Sequence, residues 1–165
     1  MHRFTQQWYS KEKKYNFTIT PKSFFQTNTS GAEKLYECVQ DMIQYGDGVM
    51  LDLYAGTGTL GIICSDKADH VYSVELVESA SEDNIYNRDK NSLTNITPIN
   101  MKVEDFAKQY KEKLQESSIH TIIIDPPRSG MHPDAPKNIL RFDAKEIIYV
   151  SCNPSTLTRD LEHFI

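Results

Sequence analysis

The sequence lacks the features that mark several classes of protein. Its three cysteines, at positions 38, 64 and 152, form no Cys-x-x-Cys pair, which argues against a disulfide framework or a zinc site and for a reducing cytoplasm. No run of 18 apolar residues is present, so no membrane span is expected, and the polar N-terminus lacks the apolar centre of a signal peptide. Five histidines are scattered without ligand spacing, so no metal site is predicted.

An excess of positive charge is also missing. The chain has 18 Lys and Arg against 23 Asp and Glu, a formal net charge of −5. A nucleic-acid partner would therefore have to be held by local basic residues or by another domain. A length of 165 residues, 39% of them hydrophobic, fits one domain with a single core.

What the sequence does have is an alternation of short apolar runs and helical patterns. Strands are predicted at 14–20, 49–54, 70–76, 96–103, 120–127 and 146–151, and helices follow them, the first capped by Thr29 or Ser30. This order predicts an α/β fold, an open and mostly parallel Rossmann-like sheet with helices on both faces. Residues 1–14 are expected to be a polar segment, irregular or a frayed strand, and residues 15–165 the core.

A glycine-rich turn, DLYAGTGTLG, follows the strand at 49–54. Gly56 and Gly58 would let the backbone approach a ligand closely and turn sharply into a helix. Asp52 would repel a pyrophosphate but could accommodate a cationic amino-acid group, partly through water. Glu75 closes the next strand and could accept both hydroxyls of a ribose. This pairing resembles the first two motifs of class I S-adenosylmethionine-dependent methyltransferases; an ordinary strand–helix turn and a NAD site are the alternatives.

Two further strand ends carry polar side chains. In HTIIIDPPRSG, Asp125 ends an apolar strand, two prolines stiffen the loop, and Arg128 could grip a phosphate or a carbonyl. Cys152 follows the last strand, and Asn153-Pro154 leads into a helix whose N-terminal dipole would favour a thiolate. Taken alone, Asp-Pro-Pro could be a strand terminator and Cys152 a small apolar filler.

A thiolate beside a methyl donor indicates one chemistry. Carbon 5 of a uracil ring is a poor nucleophile, but addition of a thiolate to carbon 6 makes it enolate-like and able to attack a methyl sulfonium. A base then removes the carbon 5 proton, and the thiolate is eliminated.

The stretches SFFQTN, DLYAGTGTLG, DPPRSG and SCNPSTLTRDL, in this order and spacing, resemble the RNA uracil-5-methyltransferases, which make 5-methyluridine in tRNA or ribosomal RNA. The resemblance covers about residues 15–165. It implies S-adenosylmethionine as the cofactor, structured RNA as the partner, Cys152 as the nucleophile and Asp125 as a residue that orients the uracil. It also implies that Gln26, Tyr54, Glu75 and Asp125 lie at the cofactor, together with Asp52, Gly56 and Gly58 of the turn.

Some positions depart from related patterns. Thr59 stands where some members have asparagine, and Lys102 stands where an acidic or amide residue often meets the adenine. Amino-directed methyltransferases carry an aromatic residue where this chain has Arg128, which weakens that interpretation. Arg128 and Asn153 are predicted to bind the substrate.

The resemblance also predicts what the chain omits. Family members continue for several dozen residues beyond the position of Ile165, with the last two strands of the sheet and a glutamate proposed as the carbon 5 base. They also carry an N-terminal RNA-binding β-barrel. We therefore expect a methyltransferase core cut from a longer protein. The alternatives are a cofactor-binding module without turnover, or another class I methyltransferase with a different substrate.

Overall fold

The computed structural model describes residues 4–10, 13–20, 28–44 and 46–164. The strands are β1 (Phe4–Ser10), β2 (Lys13–Ile19), β3 (Val49–Leu53), β4 (His70–Glu75), β5 (Ile96–Asn100), β6 (Ile119–Ile124) and β7 (Glu146–Tyr149). The α-helices are α1 (Thr29–Met42), α2 (Thr59–Ile63), α3 (Glu78–Lys90), α4 (Val103–Lys113), α5 (Ala135–Leu140) and α6 (Pro154–Leu161). None of the helices within the described ranges is long and apolar enough to cross a membrane.

Strands β3 to β7 form one parallel sheet in the order β5-β4-β3-β6-β7. The order reverses between β3 and β6, because the chain first builds outward from β3 to β5 and then returns to the other side of β3. This arrangement confirms the predicted α/β fold with a parallel sheet. In such sheets, ligands bind outside the carboxyl ends of the strands at the reversal point.

The sheet is buried on both faces, as the continuous apolar runs of its central strands predict. Met50 and Ile123 pack into one cluster with side chains of α1, α2 and the N-terminal strands. Leu51 and Ile122, one residue along each strand, pack into a second cluster with side chains of α4 and α5. Successive side chains of a strand point to opposite faces, so β3 and β6 each supply both cores.

An antiparallel hairpin of β1 and β2 lies outside the main sheet and packs on its α1–α2 side. Trp8 is fully buried, its ring centroid is 5.2 Å from that of Tyr36 on α1, and Phe17 is fully buried as well. The N-terminal residues, predicted to be irregular or a frayed strand, thus include a seven-residue strand. The boundary predicted after residue 14 falls within β2.

The N-terminus of α1 differs from the prediction. Asn28 is the capping residue, and its side-chain oxygen accepts a hydrogen bond from the backbone N–H of Gly31 at 3.1 Å. The predicted caps Thr29 and Ser30 are the first two residues of the helix. Asn, Thr and Ser are all good caps, so the helix starts at the earliest of the three that can reach an unpaired N–H.

Candidate functional site

The carboxyl edge of the sheet gathers the chemistry-bearing residues of four neighbouring strands. Glu75 ends β4, the glycine turn follows β3, Asp125 follows β6, and Cys152 lies three residues beyond the end of β7. The register pairs Leu53 with Ile124, so β3 and β6 end level with one another. With neighbouring strands about 4.8 Å apart, the site spans roughly 14 Å from β4 to β7.

The glycine turn takes backbone conformations that favour glycine. Gly56 and Gly58 have φ of +55° and +81°, in the left-handed region. A Cβ at Gly58 would collide with the Asn84 side chain, whereas one at Gly56 would meet nothing within 4 Å. Gly58 is therefore required by packing as well as by conformation. Gly56 faces open space that a ligand can enter.

Glu75 fixes one side of this turn. One carboxylate oxygen accepts the N–H of Gly56 at 2.8 Å, and the other accepts the N–H of Val77 at 2.7 Å. The carboxylate is half-buried, and each oxygen keeps lone-pair capacity for a further donor such as a hydroxyl. Leu76 and Val77 beside it are large exposed hydrophobic residues. This apolar pair was not predicted, and its only signal in the sequence is its position directly after a strand-end carboxylate.

Asp52, a residue of β3, lies beneath the turn and is fully buried next to α2. Its Oδ2 accepts hydrogen bonds from the backbone N–H of Gly61 at 3.0 Å and from the Ser73 hydroxyl at 2.9 Å. Its Oδ1 is buried and has no hydrogen-bond partner among the described residues. Burial raises the pKa of this carboxyl to about 7, opposed by those two hydrogen bonds and assisted by the charges of Asp125 and Glu75.

Asp125 stands at the reversal point of the sheet. Its backbone N–H donates to the carbonyl of Leu53 at 3.2 Å, which ties the Asp-Pro-Pro loop to the strand that carries the glycine turn. Asp125 is partly buried, and burial raises the pKa of its carboxyl group to about 6. With that pKa the carboxyl group is mostly ionised at neutral pH and can accept a hydrogen bond from a substrate N–H.

Helix α6, which follows Cys152, holds the loop that follows Asp125. The Asn153 amide donates to the carbonyl of Arg128 at 3.2 Å, and the Thr156 hydroxyl donates to the same carbonyl at 3.3 Å. Arg159 donates to the carbonyl of Ser129 at 3.0 Å. Two side chains of α6 and that of its capping residue Asn153 thus fix the backbone of residues 128–129, while the Arg128 side chain is exposed.

Asp160 completes this attachment. Its Oδ2 accepts the N–H of Met131 at 2.8 Å and the hydroxyl of Tyr149 at 2.6 Å, and its Oδ1 accepts from Arg159 at 2.6 Å. Burial would raise the pKa of Asp160, but the hydrogen bonds from Tyr149, Met131 and Arg159, with the charge of Arg159, lower it overall. The Cys152 and Asp125 segments are therefore joined into one rigid unit.

Cys152 is exposed and free at the entrance to α6. Asn153 caps the helix through its side-chain oxygen, which accepts from Ser155 N–H at 3.1 Å, and Pro154 takes the first helical position. Both ends of the Asn153 amide are thus bound to protein groups. The sulfur stands clear of the two hydrophobic cores, which argues against the apolar-filler alternative.

Of the predicted cofactor residues, Gln26 lies outside the described residues. Tyr54 has φ of 62°, and its ring packs into the α4–α5 cluster, on the opposite side of the sheet from Asp52. Its left-handed backbone breaks the alternation of β3, so Tyr54 shapes the start of the turn through its main chain. In the described part of the chain, no group of three or more His, Cys, Asp or Glu could hold a metal ion.

Comparisons with known proteins show which sequences and structures this chain is similar to. The family model described as tRNA (uracil-5-)-methyltransferase matches residues 3–165. An uncharacterized RNA methyltransferase of Clostridium tetani is 46% identical over 147 residues, which are 88% of this chain and 31% of the relative. One from Fusobacterium nucleatum is 40% identical over 152 residues, 90% of this chain and 32% of the relative. The chain spans about a third of the length of these curated relatives.

Solved structures extend the comparison. The Pyrococcus abyssi tRNA (uracil-54, C5)-methyltransferase, solved with S-adenosyl-L-homocysteine, has a TM-score of 0.76 and 30% identity, and the match covers 96% of this chain and 37% of that one. The precorrin-6y C5,15-methyltransferase of Geobacter metallireducens has a TM-score of 0.67 at 18% identity, covering 89% of this chain and 74% of that one. The second likeness shows the fold alone.

Proposed function

Because the chain belongs to the tRNA (uracil-5-)-methyltransferase family, we propose that it is the core of an enzyme that methylates carbon 5 of a uridine in RNA. S-adenosylmethionine is the proposed methyl donor, and structured RNA, either tRNA or ribosomal RNA, is the proposed substrate. The observation that carries this proposal is the exposed thiol of Cys152 at the same sheet edge as the glycine turn. A free thiol nucleophile also fits a reducing compartment, the cytoplasm.

The residues at this edge suit the proposed cofactor. The open space in front of Gly56 accommodates a ligand close to the backbone, and Glu75 offers acceptor oxygens to ribose hydroxyls. The exposed Leu76 and Val77 offer an apolar surface for a nucleoside base. Behind the turn, the buried Asp52 carboxylate favours a cationic group nearby. The cofactor would supply an electrophilic methyl group carried on a sulfonium.

The proposed chemistry begins at Cys152. Its thiolate adds to carbon 6 of the uracil, so that a carbon–sulfur bond forms and electron density moves to carbon 5 as an enolate. Carbon 5 then takes the methyl group from the sulfonium; the methyl–sulfur bond breaks, and its electron pair stays on the sulfur of the departing thioether. A base removes the proton that carbon 5 still carries, the carbon 6–sulfur bond breaks, and the thiolate is released with the 5-methyluridine.

The neighbouring residues orient the ring. Ionised Asp125 accepts a hydrogen bond from the uracil N–H, and the backbone hydrogen bond from Asp125 to Leu53 holds its segment at the sheet edge. The exposed Arg128 guanidinium binds a phosphate of the RNA. Asn153 contributes to the substrate site indirectly, because its amide holds the Arg128 carbonyl and caps the helix that follows the nucleophile.

The test is a trapping experiment with RNA that contains 5-fluorouridine. Fluorine replaces the proton that must leave carbon 5, so the adduct between protein and RNA cannot resolve and persists on a denaturing gel. We expect an adduct with the unaltered chain in the presence of S-adenosylmethionine and none with Cys152→Ala. Cys38→Ala is the matched control, because Cys38 is also free and exposed but lies on α1.

Each outcome separates the alternatives. An adduct that survives Cys152→Ala would refute the mechanism. Cofactor binding by calorimetry without adduct or turnover would favour a binding module. Methyl transfer to RNA that is unaffected by Cys152→Ala would favour a methyltransferase directed at another atom.

A further inference from the structure

Helix α3 attaches the N-terminal hairpin to the core through a row of side chains four residues apart. Asp83 accepts the backbone N–H of Thr20 at 2.9 Å, and Asn87 accepts the N–H of Thr18 at 2.7 Å. Thr18 and Thr20 are alternate residues of the chain, one in β2 and one just past its end. Both N–H groups lie on the edge of the strand that does not face β1. We call Asp83, Asn87 and Asn91 the polar ladder.

The third residue of the polar ladder, Asn91, contacts the hairpin and α3. Asn91 accepts the N–H of Asn16 and donates to its carbonyl, both at 2.9 Å. Its amide also donates to the carbonyl of Asn87 at 2.8 Å, within the same helix. Asn91 therefore binds β2 as an amide binds a neighbouring peptide group, without a described hydrogen bond to the glycine turn.

Asn87 also contacts the glycine turn. It is fully buried, and its Nδ2 donates to the carbonyl of Thr57 at 3.1 Å. The same peptide unit is held at its other end, where Gly58 N–H donates to the carbonyl of Ala55 at 2.9 Å. One amide thus joins Thr18 of the hairpin to the middle of the glycine turn.

We propose that Asn87 is a positioning residue for cofactor binding, which couples the docking of the hairpin to the shape of the glycine turn. This inference rests on the proposed function. The left-handed glycines on either side of Thr57 give the turn little conformational restraint of its own. The Gly58–Ala55 hydrogen bond holds one end of the Thr57–Gly58 peptide from within the turn, and Asn87 holds the other end from outside it.

Such a coupling acts in both directions. If a docked hairpin favours the turn conformation that binds the cofactor, then bound cofactor must favour the docked hairpin by the same free energy. The amide of Thr18 reports on docking, because its N–H is protected by Asn87 as long as the hairpin stays in place.

The test compares two isosteric substitutions on one helix face. Asn87→Asp keeps an oxygen to accept from Thr18 but loses the donor to Thr57, whereas Asn91→Asp loses a donor that serves only the hairpin and α3. We expect the Kd for S-adenosylhomocysteine, measured by calorimetry, to rise about tenfold in Asn87→Asp, because the turn loses the hydrogen bond that holds the Thr57 carbonyl in the conformation that binds the cofactor. In Asn91→Asp we expect a change of about twofold or less, although both variants lose stability.

Equal Kd changes in the two folded variants would overturn the inference and leave the proposed function intact. Absence of binding by the unaltered chain would overturn the proposed function and this inference with it. If Asn87→Asp does not fold, hydrogen exchange of the unaltered chain decides. S-adenosylhomocysteine should slow exchange of the Thr18 amide, and an unchanged exchange rate would refute the coupling.

Discussion

The buried carboxyl of Asp52 makes the stability of the fold depend on pH in a direction that can be measured. Its pKa is about 7 in the folded protein and near 3.8 when the chain is unfolded and hydrated. The folded state therefore binds a proton more tightly than the unfolded state does. Between these two values, the free energy of unfolding must fall as the pH rises.

The size of the effect follows from the two pKa values. At about 1.36 kcal/mol per pKa unit, the difference corresponds to roughly 4 kcal/mol once Asp52 is fully ionised. Between pH 5 and pH 8.5, about 3 kcal/mol of this should be lost. The penalty persists in the folded protein because Gly61 and Ser73 stabilise one oxygen while the other is buried without a described partner.

The perturbation is Asp52→Asn, which keeps one oxygen for Gly61 and Ser73 but cannot ionise. The assay is urea unfolding of the unaltered chain and the variant from pH 5 to pH 8.5. The difference in unfolding free energy should shift by about 3 kcal/mol in favour of the variant at the higher pH. Asp125 titrates in both proteins, so its contribution largely cancels from the difference. Glu116→Gln, at an exposed position, is the control.

A difference between the two proteins that does not change with pH would refute this reasoning. It would mean that water or a movement of the chain reaches the carboxylate and removes the desolvation that raises its pKa. A shift of the opposite sign would mean that hydrogen bonding to the ionised form outweighs burial.

Three further predictions test the turn and the loop. Gly56→Ala should lower the free energy of unfolding by about 1–2 kcal/mol through its left-handed φ alone, and Gly58→Ala by more, because its Cβ would also strike Asn84; urea unfolding ranks the two. Glu75→Gln should weaken S-adenosylhomocysteine binding about tenfold by calorimetry, because its amide nitrogen cannot accept the second N–H that holds the turn; unchanged affinity would contradict the assignment. Asp160→Asn should slow adduct formation with 5-fluorouridine RNA while changing cofactor Kd by about twofold or less, and a larger loss of affinity would show that the α6 attachment also serves the cofactor.

The sequence predicted the sheet well because apolar runs bounded by turn residues leave few alternatives to parallel strands. It also placed the glycine turn, Glu75, Asp125 and Cys152 at the ends of strands, and the carboxyl ends of parallel strands meet at one edge in any such fold. Their individual roles remain predictions. The prediction of the capping residue of α1 was wrong, because three adjacent residues have nearly equal capping ability.

The attachment of the hairpin to α3 could not be read from the sequence. Asp83 and Asn87 are polar, and polar residues on a helix normally indicate a face turned to solvent. Both are buried because their hydrogen-bond partners are backbone groups of β2 and of Thr20 just past its end, more than 60 residues away in the chain. Only a contact between distant segments explains them, and periodicity within one segment carries no information about such contacts.

The polar ladder has a consequence for how the hairpin can evolve. Four residues of an α-helix rise about 6.0 Å, while two residues of a strand rise roughly 6.6–6.8 Å, so the helix and strand repeats nearly coincide but drift apart by about 0.7 Å per rung. Side chains can absorb that drift over the three rungs of Asp83, Asn87 and Asn91. A single-residue insertion or deletion within α3 would turn the rungs beyond it by about 100°, and one within β2 would move the amides beyond it to the opposite edge of the strand. The hairpin is therefore locked to a single alignment on α3, and these two segments can change in sequence but not in length.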